Sequence, residues 1–240
     1  TGAEALARIR SSSGELLQPA QFIDIAEDSG LIADLGAKVL TIAVRRLAAW
    51  EARRVGGGPR LSVAVNVSAR QLADPTFPRV VAAAVKENGV DADQVALEFT
   101  ESALIAANPV TEMVLGELTA IGVRVGLDDF GTGFSSLAYL KRFPIDFLKI
   151  DRSFVSGLDD PEMGDDVGDD TAIVTGTVAL AHSLGLQVVA EGVETESQLK
   201  RLQRLQCDLA QGFYFSEPVT DAEFDRFLGR RFPETPVSPN

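Results

Sequence analysis

Seven short apolar segments of the chain each carry a polar residue, mostly near one end. Glu4 lies in Ala3-Glu4-Ala5-Leu6, Asn66 follows Val63-Ala64-Val65, and Glu98 follows Val95-Ala96-Leu97. Asp128 and Asp129 follow Val125-Gly126-Leu127, and Lys149 sits in Phe147-Leu148-Lys149-Ile150-Asp151. Glu191 follows Val188-Val189-Ala190, and Gln211 lies in Leu209-Ala210-Gln211-Gly212. A terminal carboxylate can simply cap the helix that comes next. That explains one or two such residues and handles a set recurring on every segment poorly. Read as a convergent set, the carboxylates cannot all stay ionised without compensation, and Lys149 offers a single positive charge. Divalent cations would supply the rest, and Asn66 adds a neutral carbonyl oxygen of the kind hard cations accept. Two cations close together are a general device for in-line displacement at phosphorus.

Composition narrows the metal. The chain has one histidine, His182, and one cysteine, Cys207. A Cys/His zinc site needs more soft ligands than this, so oxygen must do most of the holding, which points to Mg, Mn or Ca. No intrachain disulfide can form, and a reducing compartment is the easier fit. The net charge is −13, with an isoelectric point near 4.5. That argues against a DNA or RNA polymer or an anionic membrane as partner, although a bound dication would still admit an anionic substrate.

The elements that would position these residues alternate along the chain. Hydrophobic residues at 45% and charged residues at 24% are globular composition, which excludes disorder of the whole chain. Strands are expected at Ala3–Leu6, Leu61–Val67, Val95–Phe99, Val123–Leu127, Phe147–Ile150, Gln187–Ala190 and Leu209–Phe215. Helices are expected around 19–28, 33–54, 76–88, 108–121, 135–142, 171–184, 195–205 and 220–229. Strands separated by helices imply mostly parallel pairing. In such folds the C-terminal ends of the strands are where sites are built. Thr171 to Ala190 holds no formally charged residue, but its threonines, Ser183, Gln187 and Gly185 mark it as a soluble helix, a glycine stop and a strand. The acidic stretch 159–170 fails the ligand spacing of an EF-hand at Pro161 and Met163 and is expected to be a solvated loop. Residues 1–230 are expected to form the domain, with 231–240 a linker tail that carries Pro233, Pro236 and Pro239.

The segments Glu4-Ala5-Leu6-Ala7-Arg8, Asn66-Val67-Ser68-Ala69-Arg70-Gln71, Glu98-Phe99-Thr100-Glu101-Ser102, Asp128-Asp129-Phe130-Gly131-Thr132-Gly133-Phe134, Leu148-Lys149-Ile150-Asp151, Glu191-Gly192-Val193-Glu194 and Gln211-Gly212-Phe213 occur in one order. In that order they resemble the EAL domain family. The resemblance implies an α/β fold, a modified TIM (β/α)8 barrel with one antiparallel strand. Seven strands are counted here, so the family's first strand is expected upstream of Thr1. The resemblance also implies a phosphodiesterase that opens cyclic di-GMP to linear pGpG, using a water activated by two Mg2+ or Mn2+ ions, with Ca2+ inhibitory. It implies metal ligation by Glu4, Asn66, Glu98, Asp128 and Asp129, with Glu191 reaching the metal directly or through water. It places Lys149 at the attacking water, and Glu4 and Glu191 in the reaction with it. It implies that Arg8 contacts a substrate phosphate, that Gln211 and Glu194 line the site, and that Glu101 holds the loop 129–136, with Gly131 and Gly133 in it, which links the site to a dimer face. A homodimer, a cytoplasmic location and a parent protein with sensor or GGDEF domains are expected, any membrane anchor lying outside this segment. Where the family usually has an aromatic residue and a His-Pro pair, this chain has Ile9-Arg10-Ser11-Ser12-Ser13-Gly14.

Two other functions stay open at this point: a non-catalytic cyclic di-GMP receptor, and a scaffold used only for interaction. Degenerate relatives of the first kind usually lack part of the carboxylate set, which is complete here. A lysine among carboxylates is held as the cation, so Lys149 is expected to orient water rather than act as base. Gly131-Thr132-Gly133 lacks the ending of a P-loop. His182 is expected to be structural and Cys207 a small core residue. Phe134 and Tyr139 could pack in the core or stack on a base.

Overall fold

The structure is a computed structural model that describes residues 2–53, 60–105, 107–132, 137–159 and 168–228. Gly133, Phe134, most of the acidic stretch 159–170 and the 231–240 tail lie outside the described residues, as does the Tyr139 side chain. The chain forms two compact units, residues 1–125 and 126–240.

The first unit runs β1 (Gly2–Ala5), β2 (Ile9–Arg10), β3 (Leu16–Leu17), α1 (Ile23–Asp28), α2 (Ile32–Arg53), β4 (Ser62–Asn66), α3 (Ala69–Leu72), α4 (Phe77–Asn88), β5 (Val95–Thr100), α5 (Glu101–Ile105) and α6 (Pro109–Ile121). β1, β4 and β5 pair in parallel, with Glu4 opposite Ala64, Ala64 opposite Ala96, and Asn66 opposite Glu98. β5 is buried along almost its whole length, as expected of a parallel strand covered on both faces. α2 explains itself by spacing: Leu40, Ala43, Val44, Leu47 and Trp50 recur at three- and four-residue intervals and are all buried. That face packs on β4 and α4. α6 begins where Asn108 Oδ1 accepts the Val110 and Thr111 amides at 2.8 and 3.2 Å, with Pro109 in its first turn. It ends at Gly122, whose φ of 93° suits a left-handed stop.

The second unit takes up β6 (Arg124–Phe130), which starts at the end of the first, and continues with α7 (Leu137–Arg142), β7 (Phe147–Ile150), α8 (Arg152–Ser156), α9 (Asp169–Ser183), β8 (Gln187–Ala190), α10 (Glu196–Arg204), β9 (Leu209–Ala210) and α11 (Asp221–Phe224). β6, β7, β8 and β9 pair in parallel in that order. α9 packs on β7 and β8 through the buried Val174, Val178 and Ala181.

The α/β class and the parallel pairing agree with the expectation from the sequence. Among the described residues, antiparallel pairing is confined to β2 and β3, a two-residue ribbon turned by Ser11 to Gly14. The expected last strand, Leu209–Phe215, is corrected to Leu209–Ala210. Gln211-Gly212 turns the chain there, and Phe215 N bonds back to Gly212 O. The uncharged run is α9 followed by β8, and no helix among the described residues is long and apolar enough to cross a membrane.

Candidate active site

Register decides which side chains share a face. In parallel strands directly opposed residues point the same way, and every second residue repeats the direction. Glu4, Ala64, Asn66, Ala96 and Glu98 therefore lie on one face of the first unit's sheet. Asn66 Nδ2 donates to Glu4 Oε1 at 2.7 Å across β4 and β1. Glu98 is buried at 3% exposure, flanked on β5 by the buried apolar residues Val95, Ala96, Leu97 and Phe99. The chain after Asn66 is fixed twice. Val67 N donates to Glu98 O at 2.7 Å, and Ser68 with Gln71 forms a capping box that starts α3. Glu101 is also buried, at the first position of α5.

In the second unit the same rule runs into a problem. Asp128 and Asp129 are adjacent, so a regular strand would send their carboxylates to opposite faces. β6 solves this with a register shift between Leu127 and Phe130. Asp129 adopts φ 55°, one of two non-glycine residues with positive φ among those described. Aspartate tolerates this conformation better than most residues. Asp129 N donates to Asp128 Oδ1 at 2.9 Å, and Thr132 Oγ1 closes the turn on Asp129 O at 2.9 Å. Both carboxylates then join Glu191, and ligand atoms of the three lie within 4.8 Å of one another.

Lys149 belongs to this group. It is 1% exposed on β7, and its Nζ lies 2.6 Å from Glu191 Oε1 and 3.3 Å from Asp128 Oδ1. Beneath it on the same face, the Phe147 ring occupies the space where a Cβ on Gly126 would stand. One ammonium beside three carboxylates leaves a net negative cluster made wholly of oxygen donors, which fits a hard dication. When bound there, such ions would acidify water and neutralise charge on a phosphodiester.

Every expected site residue except Gly133, which is outside the described residues, has a place in the structure. In the first unit the structure joins Glu4 to Asn66 and sets Glu98 in register with Asn66. In the second it gathers Asp128, Asp129, Lys149 and Glu191. Arg8 follows β1, and its guanidinium donates to Ala7 O at 2.8 Å. Gln211 follows β9, with its amide on Ala190 O at 2.8 Å. Glu194 is exposed, and its amide donates to Gln198 Oε1. Gly131 has φ 98°. His182 Nε2 contacts Asp208 Oδ2 at 2.9 Å, and Cys207 is buried. Sequence reasoning missed Asp151, which caps α8 by accepting the Ser153 amide at 3.0 Å. It also missed the capping boxes Ser68–Gln71 and Thr195–Gln198, whose S/T-x-x-Q spelling was a readable signal.

Known proteins resemble this chain over most of its length. The family model described as "EAL domain" matches residues 1–218. Over 218 residues the chain is 41% identical to the bifunctional diguanylate cyclase/cyclic di-GMP phosphodiesterase MucR of Pseudomonas aeruginosa, covering 91% of this chain and 30% of that protein. It is 39% identical over 227 residues to the cyclic di-GMP phosphodiesterase PdeR of Escherichia coli, covering 95% and 33%. The chain thus spans about a third of the length of these curated relatives. Among solved structures it is similar to the PaMucR phosphodiesterase in complex with c-di-GMP, with a TM-score of 0.82 at 40% identity, covering 92% of this chain and 86% of that one.

Proposed function

Because the chain belongs to the EAL domain family, we propose that it hydrolyses cyclic di-GMP to linear pGpG with the help of Mg2+ or Mn2+. The observation that carries this reading is the buried Lys149 ammonium, 2.6 Å from Glu191 inside an all-oxygen cluster with Asp128 and Asp129. In the reaction a water oxygen forms a bond to one phosphorus, the bond from phosphorus to the ribose 3′ oxygen breaks, and that oxygen leaves with a proton. Glu4, Asn66, Glu98, Asp128, Asp129 and Glu191 are the proposed ligands of two cations, which when bound would lower the pKa of water and offset the charge of the phosphate. Lys149, whose ammonium can only donate hydrogen bonds, orients the water and stabilises the developing charge. Arg8 pairs with a substrate phosphate, as guanidinium geometry favours. Gln211 and Glu194 line the substrate side, and Glu101 is the proposed anchor of the loop after β6 that includes Gly131 and Gly133.

The same reading takes residues 1–230 as one catalytic domain and 231–240 as a linker. It further takes the domain as a cytoplasmic homodimer within a longer signalling protein carrying sensor or GGDEF domains. The test is hydrolysis of cyclic di-GMP followed by chromatography with Mg2+, Mn2+, Ca2+ or chelator, beside a Glu191→Ala control. Product that needs Mg2+ or Mn2+, is suppressed by Ca2+ and is absent from the control supports the reading. Tight binding without turnover, unaffected by Glu4→Ala, would replace it with a receptor.

A further inference from the structure

Glu191 does not lie within a strand. It is the first residue after β8, in Glu191-Gly192-Val193-Glu194, yet it must meet Lys149 and two aspartates. The backbone on both sides of it is held by its neighbours. Glu191 N donates to Ile150 O at 3.0 Å, one residue past Lys149. On the other side, Gln211 N donates to Ala190 O at 2.8 Å, Val193 N to Gln211 O at 3.0 Å, and Tyr214 N to Val193 O at 2.9 Å. The hydrogen-bond ladder of β7, β8 and β9 thus continues past the strand ends, around the carboxylate.

Two glycines make that continuation possible. Gly192 has φ 67°, and a Cβ there would overlap the Cβ of Arg152 and stand 3.3 Å from its Cα. Arg152 is the first residue of α8 and follows Asp151 directly. Gly212 has φ 156°, and a Cβ there would overlap the backbone N and O of Val193 and stand 2.8 Å from its carbonyl carbon. The loop bearing Glu191 is therefore pressed between the start of α8 and the turn after β9, with glycine at both contacts.

We propose that Gly192 and Gly212 are positioning residues, whose missing side chains let α8 and the turn after β9 clamp Glu191 against Lys149. This rests on the hydrolytic reading for its consequence, but the clamp itself concerns only residues of this chain. A misplacement of about 1 Å is enough to lower turnover on the order of a hundredfold.

The test uses Gly192→Asn, because asparagine tolerates a left-handed backbone and so mainly adds the Cβ that meets Arg152. It is paired with the double variant Arg152→Gly/Gly192→Asn, which vacates the opposing space, and with Arg152→Gly alone. Two quantities are read: kcat and KM for cyclic di-GMP, and the affinity for Mn2+ of the protein without nucleotide. In Gly192→Asn, kcat and Mn2+ affinity should each fall about tenfold or more while KM stays within about threefold, and the double variant should return both to within about threefold of Arg152→Gly. Values for Gly192→Asn within about twofold of wild type overturn the proposal, as does a double variant no better than the single. If Gly192→Asn does not fold, as judged by circular dichroism in chelator, the double variant decides. Matching Arg152→Gly supports the clamp, and a loss despite the vacated space overturns it. A wild-type protein that binds Mn2+ but never hydrolyses cyclic di-GMP would strike the hydrolytic reading alone, because the Mn2+ series still tests the clamp.

Discussion

Lys149 Nζ lies 2.6 Å from Glu191 Oε1, although Lys149 stands on β7 and Glu191 is the first residue past the end of β8, the strand paired with it. Lysine is almost never fully buried without a partner, and at 1% exposure this one has two carboxylates within reach. A buried pair of this kind is weak evidence for stability, since desolvation offsets much of the attraction. Its position among oxygen donors is better explained by chemistry.

Lys149→Met should separate the two roles. It removes the donor proposed to orient the water and to counter the charge developing at phosphorus, so kcat for cyclic di-GMP should fall by about a hundredfold to a thousandfold. Mn2+ binding should survive, because all the carboxylates remain. Removing one partner of a buried pair leaves uncompensated charge, so the variant's melting temperature should rise more on adding Mn2+ than the wild type's does. Near-normal turnover in this variant would remove Lys149 from the mechanism.

Asp129 carries a conformational constraint as well as a proposed ligand role. Its φ of 55° is tolerated by Asp and Asn and costs alanine about 1 kcal/mol or more. In chelator, urea unfolding should find Asp129→Asn at least as stable as wild type, since one of three crowded charges is gone. Asp129→Ala should lie about 1 kcal/mol below Asp129→Asn. Both should lose Mn2+ affinity. Equal stability of the two variants would mean that the backbone at this position carries no strain.

The sequence made the strand ends legible because each polar residue interrupts an apolar run: Glu98 and Lys149 are the polar members of segments whose neighbours are buried. Phe147–Ile150 and Gln187–Ala190 match their expected bounds for the same reason. What could not be read was the geometry that turns a list of carboxylates into a cluster. Nothing in Leu127-Asp128-Asp129-Phe130 announces a register shift, because a bulge is set by pairing with β7 and not by local preference. The expected end of β9 overshoots because Tyr214 and Phe215 are good strand formers, whereas the contact of Gly212 with Val193 bends the chain before them. Gly192 and Gly212 look like ordinary turn residues until their neighbours are seen.

Cys207 should be chemically silent. Burial pushes its thiol up to about 12, and its Sγ lies 3.3 Å from Leu209 O. At about pH 8 a disulfide reagent should react with it slowly in the native protein and rapidly in denaturant, because the thiolate is the nucleophile. The sign of the linkage follows. The folded pKa lies above the ordinary 9.0, so no stability is lost below about pH 9, and stability falls as pH rises from there towards about 12. Cys207→Ala should lower stability at neutral pH through lost packing and remove this alkaline slope. Rapid native labelling would contradict the burial.

Asp151 gives the opposite sign. Partial burial works against its ionised form, but the Ser153 hydroxyl and amide, the Arg152 amide and the Arg152 charge outweigh it and hold the carboxyl below its usual 3.8. A lowered folded pKa contributes stability that is present above the unfolded value and lost as pH falls through the folded one. Asp151 is also the cap of α8, and replacing such a cap by alanine costs about 1 kcal/mol. Near neutral pH, Asp151→Ala should therefore be less stable than wild type by about that amount, measured by urea unfolding. The gap should narrow as pH drops below about 4, where the wild-type carboxylate gains its proton. Asp151→Asn keeps an acceptor for the Ser153 amide without a charge, so it should lie between the two at neutral pH and show no such narrowing relative to alanine. A gap between wild type and Asp151→Ala that stays constant down to pH values well below 3.8 would mean that Asp151 contributes through shape and not through its charge.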